Sequence, residues 1–185
     1  MTGWYPVCLD LRGRRCLVVG GGRVALEKTR GLLAAGAAVA VVAPEVVPEL
    51  RSLPVELVER PFADGDVAGR MLVVSTTGDD AVAARVAAAA ERAGVFCNAA
   101  DVPALCSFIL PAVHREGQIL VAVSTGGASP ALAQWLRARI AELVRPEHAQ
   151  LAERLAALRP WAKRNLPSYE ERRDYFRGLV ERALA

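Results

Sequence analysis

The stretch Cys16-Leu-Val-Val-Gly-Gly-Gly-Arg-Val-Ala25 joins a short apolar run to a predicted helix through three consecutive glycines. Its spacing, Gly20-x-Gly22-x-x-Ala25, is typical of the turn that opens a βαβ unit and binds a pyrophosphate. The first glycine permits the sharp bend, the second lets the backbone approach the phosphates, and the third small residue lets helix pack on strand. The alternative, which the pattern alone leaves open, is a glycine-rich turn with no ligand.

Apolar runs alternate with helical stretches after this turn, and that alternation predicts a parallel sheet. The predicted strands are 15–19, 38–43, 55–59, 71–76 and 95–98. The predicted helices are 23–35, 45–53, a small helix after the loop 61–66, and 81–93. Gly36 is expected to end the first of them, and an aspartate before Ala81 is expected to cap the last. We therefore expect an α/β fold built on a Rossmann-type parallel sheet.

The two ends of the chain carry further predicted elements. Alternation in Tyr5–Leu11 predicts an edge strand. Two more strands are predicted at 107–111 and 119–124, joined through a hairpin-like turn at His114–Gly117. The remainder predicts helices at 130–144, at 146–158, and from Ser168 onward, where Glu171 completes a capping box.

Composition predicts a globular chain with a sizeable core. The 185 residues are 53% hydrophobic and 23% charged, with a formal net charge of +3. There is no apolar run of membrane-spanning length, and the first residues lack the form of a signal peptide, so we expect a cytoplasmic protein with no membrane partner. The four cysteines, of which Cys16 and Cys97 are expected to be buried, predict neither a disulfide framework nor a metal site.

Positive charge is concentrated in the last third of the chain. From residue 131 onward there are eleven Lys or Arg against seven Asp or Glu, whereas the rest holds 12 against 13. This excess predicts a solvated helix face or an attraction for an acidic partner. The sequence contains no recognised nucleic-acid-binding module, and we expect no nucleic-acid partner.

Four stretches agree, in order, with one family. They are Val18-Val-Gly-Gly-Gly-Arg-Val-Ala-Leu-Glu-Lys28, Cys97-Asn-Ala-Ala-Asp-Val-Pro103, Ser107-Phe-Ile-Leu-Pro-Ala112 and Val121-Ala-Val-Ser-Thr-Gly-Gly-Ala-Ser-Pro-Ala-Leu-Ala133. On these motifs the chain resembles the precorrin-2 dehydrogenase and sirohydrochlorin ferrochelatase family, which also forms the N-terminal part of siroheme synthase. A generic Rossmann protein would share only the first stretch.

The resemblance implies an enzyme that oxidises precorrin-2 to sirohydrochlorin with NAD, the substrate losing a hydride and a proton. In many members ferrous ion is then inserted to give siroheme, and ferrous or cobaltous ion is the expected metal substrate. It also implies a homodimer that exchanges contacts through 119–144. The expected regions are an NAD-binding Rossmann domain at 1–112, a dimerisation region at 113–146 and a small C-terminal helical domain at 147–185.

The expected cofactor-binding residues surround the glycine turn and the ends of the neighbouring strands. They are Gly20, Gly21, Gly22, Arg23, Val24, Pro44, Glu45 and Thr76. Many dinucleotide folds place Asp or Glu at the end of the second strand, where it binds a ribose hydroxyl. This chain has Ala43-Pro44 there, with Glu45 one step later, so the choice between NAD and NADP stays open.

Asp101 matches the catalytic aspartate that the resemblance implies, as acceptor of a proton from the substrate. Its alternative role is to cap the turn before Pro103. The expected substrate-binding residues are Ser124, Thr125, Gly126, Gly127 and Arg137.

Arginine suits the eight carboxylates of the tetrapyrrole because it binds carboxylates bidentately. Arg139, Arg172 and Arg173 are further candidates, and a solvated helix face is the alternative for each. The family often has a second serine, a phosphorylation site in siroheme synthase, where this chain has Thr125. His114 is interpreted as a surface turn residue, with a role in metal entry as the alternative.

Two other functions remain as hypotheses. A non-catalytic nucleotide sensor on the same fold would bind NAD without turning over precorrin-2. A basic nucleic-acid-binding protein rests only on the charge of the C-terminal third, and salt-dependent DNA binding would be needed to support it.

Overall fold

Five parallel strands form the sheet that the apolar runs predict. They are β1 (Arg15–Val19), β2 (Ala38–Val42), β3 (Glu56–Val58), β4 (Leu72–Ser75) and β5 (Phe96–Ala99), paired in the order β3-β2-β1-β4-β5. The computed structural model describes residues 3–184 and divides into two units, Met1–Leu110 and Pro111–Ala185, and this sheet belongs to the first. The α/β fold with a Rossmann-type sheet is thereby confirmed.

The helices of the first unit connect these strands. They are α1 (Arg23–Ala34), the short α2 (Pro48–Arg51) and α3 (Asp80–Ala93), with 3-10 turns at Asp64–Val67 and Pro103–Leu105. The carboxylate of Asp79 caps α3 by accepting from the backbone N–H groups of Ala81 and Val82 at 2.9 and 3.1 Å. The predicted aspartate cap is therefore confirmed, and it falls on the first of the two adjacent aspartates.

The core lies on both faces of the sheet because side chains alternate along each strand. On one face Leu17 and Val73 pack with Val86 of α3. On the other, Val18 packs with Leu26 of α1 and with other buried residues, which include Cys16 and Leu50. Continuous apolar runs are expected where a parallel strand is covered on both faces.

The second unit contains an antiparallel hairpin and three helices. They are β6 (Ala112–Glu116), β7 (Ile119–Val123), α4 (Pro130–Leu143), α5 (Pro146–Asn165) and α6 (Tyr169–Leu184). The predicted capping box at α6 is present, because the Glu171 N–H donates to the Ser168 hydroxyl and the Ser168 N–H donates to the Glu171 carboxylate, both at 3.1 Å.

The predicted edge strand at Tyr5–Leu11 is wrong. These residues form no strand, and the side chains of Tyr5 and Val7 are exposed. Asp10 accepts from the backbone N–H of Arg12 at 3.2 Å and from its guanidinium at 2.8 Å, which bends the chain locally. Pro6 also lacks the N–H that a sheet ladder needs.

The predicted strand at 107–111 and the predicted turn at His114–Gly117 are also wrong in position. The strand is β6, which contains His114, and the turn falls at residues 117–118. Ser107 instead bonds to Cys97 of β5, through its N–H at 2.8 Å and its hydroxyl at 2.7 Å. This contact between distant residues fixes 107 in a loop despite its strand-like composition.

Two helix lengths differ from prediction. The predicted helix at 45–53 is reduced to α2, and α5 continues past the predicted end at 158 to Asn165, with Pro160 inside it. Packing opposes the break at the proline, since Ala162 is fully buried and the Trp161 ring lies 5.5 Å from that of Tyr175 on α6.

The division into an NAD-binding domain, a dimerisation region and a C-terminal helical domain stays a prediction. Met1, Thr2 and Ala185, which belong to these regions, lie outside the described residues. Between residues 3 and 184 there is no helix with both the length and the apolar character that crossing a membrane requires.

Candidate functional site

Gly20 forms the bend at the end of β1, and its neighbours leave no space for a side chain. Its N–H donates to the Val42 carbonyl at 2.9 Å, and its φ is 119°. A Cβ at this position would lie 2.5 Å from the Thr76 hydroxyl oxygen. Thr76 is itself fixed, because its N–H and hydroxyl donate to the Val19 carbonyl at 2.8 and 3.2 Å.

Gly21 is required by a contact that the turn pattern does not indicate. The backbone of Glu45 passes close to it, so that a Cβ on Gly21 would clash with the Glu45 carbonyl oxygen. The Val47 N–H also donates to the Gly21 carbonyl at 2.8 Å. The segment after β2 therefore packs on the glycine turn, and the middle glycine is the residue that permits this packing.

Gly22 is the N-cap residue just before α1 and faces open space, since a Cβ built there would meet nothing within 4 Å. It gives α1 no side-chain cap, whereas Asp79 caps α3 and Ser129 caps α4 through side-chain oxygens. The first N–H groups of α1 thus lack the side-chain acceptor that the other two helices have. This arrangement fits the binding of phosphate, which helix N-termini favour.

A cleft of about 400 Å³ lies beside this turn. It opens at the carboxyl ends of β1 and β2, next to the point between β1 and β4 where the strand order reverses, which is where open α/β sheets bind ligands. Its lining consists of Val19, Gly20, Gly21, Val42, Ala43, Pro44, Glu45, Pro61, Phe62, Thr77, Asp79 and Val82.

The cleft brings together four of the predicted cofactor residues, Gly20, Gly21, Pro44 and Glu45. Thr76 borders them through its contact with Gly20. Arg23 and Val24 begin α1, are exposed, and do not belong to the lining.

Sequence reasoning did not single out Phe62 or Thr77. Thr77 follows directly after Thr76, and its hydroxyl accepts from the Asp79 N–H at 3.2 Å. Thr77 could have been predicted, because it is a polar residue between β4 and α3. Nothing in the sequence pattern indicated Phe62.

Asp101 lies just beyond β5, at the same carboxyl edge of the sheet. It is exposed, and its backbone adopts a left-handed conformation with φ of 63°. The preceding Ala100 N–H donates to the Ser75 carbonyl at the end of β4, at 2.9 Å. The sheet therefore holds the start of this turn, and the carboxylate follows within one residue.

All five predicted substrate residues lie in the second unit. Four of them, residues 124–127, form part of the loop between β7 and α4, and the fifth, Arg137, lies in α4. The Thr125 hydroxyl donates to the Ser129 carbonyl at 3.1 Å and accepts from the Ser129 N–H at 3.0 Å. The Ser124 hydroxyl accepts from the Gly126 N–H at 3.1 Å. The loop containing Gly126 and Gly127 is thus closed by its own hydroxyl groups, and the Ser129 hydroxyl caps α4 by accepting from the Leu132 N–H.

The candidate arginines differ in what they contact. Arg137 donates to the Gln134 side chain at 3.1 Å, whereas Arg139 pairs with Glu142 at 3.1 Å and Arg173 with Asp174 at 2.8 Å. Arg172 donates to the carbonyls of Leu166 and Pro167, where it ties the turn between α5 and α6. His114, which sits in β6, has its Nε2 3.3 Å from the Val144 carbonyl.

The glycine turn, the strand order and the cleft define a dinucleotide-binding protein of the Rossmann type. Residues 7–112 match the family model described as "Putative NAD(P)-binding", and residues 120–143 match the one described as "Sirohaem biosynthesis protein central". The first model covers more than half of the chain, so the chain belongs to this NAD(P)-binding family. Together with the second match, this confirms the resemblance based on the four motifs.

Similar proteins agree with this assignment. The siroheme synthase of Pseudomonas aeruginosa (strain LESB58) is 41% identical over an alignment of 186 positions, which covers 98% of this chain and 40% of that protein. That of Methylococcus capsulatus (strain ATCC 33009 / NCIMB 11132 / Bath) is 43% identical over 183 residues, covering 96% and 38%. The chain thus spans about two-fifths of the length of these relatives.

A solved structure titled "SirC, precorrin-2 dehydrogenase" superimposes with a TM-score of 0.78 at 26% identity, covering 98% of this chain and 93% of that one. The similarity in fold therefore extends over both units, beyond the part that binds a nucleotide in other Rossmann proteins. The NAD(P)-binding family model confirms a nicotinamide dinucleotide as the cofactor class.

Proposed function

We propose that the chain oxidises precorrin-2 to sirohydrochlorin with NAD as the electron acceptor. The observation that carries the proposal is the agreement in fold, over 98% of the chain, with a structure titled precorrin-2 dehydrogenase. The reaction balances as loss of one hydride and one proton from the substrate, giving sirohydrochlorin, NADH and H⁺. The chain's own residues must therefore bind two large ligands and accept one proton.

The residues of the cleft fit NAD. Gly20 and Gly21 line the cleft with bare backbone, and Gly22 leaves open space before α1, whose first N–H groups suit the pyrophosphate. Pro44 and Glu45 would adjoin the adenosine ribose. Thr76 packs against Gly20 and so stabilises the glycine turn. When bound, NAD supplies the hydride acceptor.

NAD is favoured over NADP by the charges of the lining. The cleft residues include two acids, Glu45 and Asp79, and neither Lys nor Arg. A 2′-phosphate would meet carboxylates there, whereas sites for NADP place an arginine nearby. We therefore include a preference for NAD in the proposal.

Asp101 is the residue proposed to accept the proton. Its carboxylate is exposed at the edge of the sheet where the cleft opens, and an ionised carboxylate is a competent general base. The same group would take pyrrole protons if ferrous ion, as substrate, is inserted into sirohydrochlorin, a second activity that the proposal includes with cobaltous ion as an alternative metal.

The second unit is proposed to bind the acidic side chains of the tetrapyrrole. Ser124, Thr125, Gly126 and Gly127 form the loop before α4, and Arg137 lies two turns into that helix. Eleven basic residues against seven acidic ones from residue 131 onward give this part of the chain a positive charge. Association as a homodimer and a cytoplasmic location complete the proposal.

The test is an anaerobic absorbance assay in which precorrin-2 is generated in situ and NAD is added. We expect the sirohydrochlorin spectrum and NADH to appear together, more slowly with NADP. Asp101→Asn should lower kcat by about 10²- to 10⁴-fold, the usual contribution of a positioned base, without weakening NAD binding. Ferrous or cobaltous ion added to the same cuvette then tests metal insertion.

Three outcomes decide the proposal. NAD binding without any oxidation of precorrin-2 would overturn it and favour a nucleotide sensor. Full activity of Asp101→Asn would remove Asp101 from the proton transfer. If metal insertion is unchanged in that variant, Asp101 has no role in metal insertion, and its proposed role in the oxidation is unaffected.

A further inference from the structure

Asp101 has a left-handed backbone conformation, which is uncommon for a residue other than glycine, although aspartate adopts it more readily than most. Among residues 3–184 it is the sole non-glycine residue with positive φ, at 63°. It occupies the third position of a four-residue turn that runs from Ala99 to Val102 and is closed by the Val102 N–H donating to the Ala99 carbonyl at 3.3 Å. Glycine or asparagine is usual at such a position, so the surroundings must stabilise this turn.

The thiol of Cys106 contacts both ends of that turn. Its sulfur accepts from the Ala99 N–H at 3.2 Å and lies 3.3 Å from the Ala99 carbonyl oxygen. It also lies 3.5 Å from the Val102 carbonyl oxygen. A thiol has one proton, so it donates to one of these two carbonyls at a time while accepting from Ala99.

Cys106 is itself placed by rigid neighbours. Its N–H donates to the Pro103 carbonyl at 3.1 Å, at the end of the 3-10 turn. The next residue, Ser107, is tied to Cys97 of β5 through two hydrogen bonds, and the Asn98 amide nitrogen lies 3.6 Å from the sulfur. Contacts with β5 therefore position the thiol. The thiol in turn contacts Ala99 and Val102, the first and last residues of the turn that contains Asp101.

We propose that Cys106 is a positioning residue for Asp101, whose thiol bridges Ala99 and Val102 and so holds the left-handed turn that carries the carboxylate. This inference rests on the proposed role of Asp101. Displacing a catalytic group by about 1 Å can lower a rate by about 100-fold, so a thiol far from the reacting atoms can affect the rate through this turn.

Cys97 provides a matched control. It lies on β5, the strand that leads into the turn, and it is 3% exposed. Burial raises the pKa of its thiol to about 11, so it is expected to behave as an inert apolar side chain. Truncating Cys97 removes a buried thiol close to the turn without removing a contact to Ala99 or Val102.

The experiment compares Cys106→Ala, Cys106→Ser and Cys97→Ala in the full chain, each also combined with Asp101→Asn. We expect Cys106→Ala to lower kcat by about tenfold or more while NAD affinity changes by less than about twofold. Cys106→Ser should recover most of the rate, because a hydroxyl also donates and accepts. Cys97→Ala should keep the wild-type kcat even if its melting temperature falls.

The double variant distinguishes positioning from general destabilisation. If Cys106 acts through Asp101, Cys106→Ala should have no further effect on kcat in the Asp101→Asn background. An equal loss in both backgrounds, or a wild-type kcat for Cys106→Ala, would overturn the proposal.

A structural measurement keeps the inference separate from the proposed function. The one-bond Cα–Hα coupling of Asp101, measured by NMR, distinguishes positive from negative φ. We expect the positive value in the wild type and in Cys106→Ser, and its loss in Cys106→Ala. If the wild type fails to oxidise precorrin-2, the proposed function fails, and an unchanged coupling in Cys106→Ala would still overturn the role of the thiol.

Discussion

The three consecutive glycines have different neighbours, and each is small for a different reason. Gly20 lies against the Thr76 hydroxyl, Gly21 lies under the Glu45 backbone, and Gly22 opens toward empty space. The first two glycines serve the packing of the protein itself. Only at Gly22 would a side chain project into space that the fold leaves free, so binding and folding can be separated by substitution.

Gly21→Ala should destabilise the fold, whereas Gly22→Ala should leave it intact and weaken NAD binding. Overpacking against backbone costs about 1–3 kcal/mol, which corresponds to a fall in melting temperature of about 2–12 °C. Thermal unfolding without ligand and titration of NAD on the folded protein measure the two effects. Equal melting temperatures for the two variants would contradict the assignment of Gly21 to packing.

Some requirements at single residues could be predicted from the sequence, and others could not. The spacing of the glycines predicted the turn, because the bend at Gly20 and the helix start after Gly22 depend on the residues close to them in the sequence. The requirement at Gly21 comes from Glu45, which meets it only after the second strand has folded back alongside the first. The positive φ of Asp101 was not predicted either, since the turn around it also makes contacts with Cys106, which lies five residues further along the chain.

At the scale of elements, ion pairs hold the loop after β3, and the pair of Arg60 with Asp66 closes this loop on itself. Arg60 donates two hydrogen bonds to Asp66 at 2.8 and 2.6 Å, and Asp66 also accepts from the Ala63 N–H at 2.9 Å. Phe62, which lines the cleft, lies inside this closed loop. The hydrogen bonds from Arg60 hold the pKa of Asp66 below its usual value.

Asp66→Asn should lower stability at neutral pH and lose its effect in acid. Because the folded pKa lies below the unfolded value of about 3.9, the stabilisation is present above about pH 4 and is lost as the pH falls through the folded pKa. We expect a difference of about 1 kcal/mol, or about 2–4 °C in melting temperature, at pH 7. Thermal unfolding at several pH values measures it.

Glu91→Gln is the control for losing one negative charge, since Glu91 is exposed on α3. It should leave the melting temperature nearly unchanged at pH 7. A deficit in Asp66→Asn that stayed constant from pH 7 to pH 3 would rule out the ion pair as its cause.

The elements that sequence reasoning misplaced are those with little regular pattern. The five sheet strands were found because each is an apolar run buried on both faces. By contrast β6 contains His114, Arg115 and Glu116, so its composition resembles a turn, and the apolar run at 107–111 resembles a strand. Residues 107 and 108 are instead held in a loop by hydrogen bonds to Cys97 and Asn98 of β5, which the local sequence pattern does not indicate.

At the scale of the whole molecule, α4 presents an apolar stripe. Leu132, Trp135 and Leu143 are 48%, 60% and 71% exposed, and their spacing places them on one face of the helix. The Arg139 guanidinium lies 6.0 Å from the Trp135 ring centre on that face. A stripe of this kind fits the proposed homodimer, because exposed apolar surface of this extent marks association sites.

Trp135→Asp should therefore shift the chain from dimer to monomer. Large aromatic side chains at interfaces contribute about 2 kcal/mol or more, so the dimer dissociation constant should rise by about thirtyfold or more. Sedimentation velocity over a concentration series measures this. Tyr169→Asp, at an exposed tyrosine of α6, is the control, and a wild-type chain that sediments as a monomer would exclude the dimer.

The segment after β5 has one more consequence, for contacts between molecules. A bare strand edge offers unpaired backbone groups on which another chain can template a strand. At β5 the Cys97 N–H and carbonyl are already bonded to Ser107, and the Asn98 side chain donates to the Phe108 carbonyl at 3.0 Å. At the opposite edge β3 has only three residues. The segment that steadies the Asp101 turn thus also seals the sheet, so a change that loosens it would invite aggregation as well as displace a carboxylate.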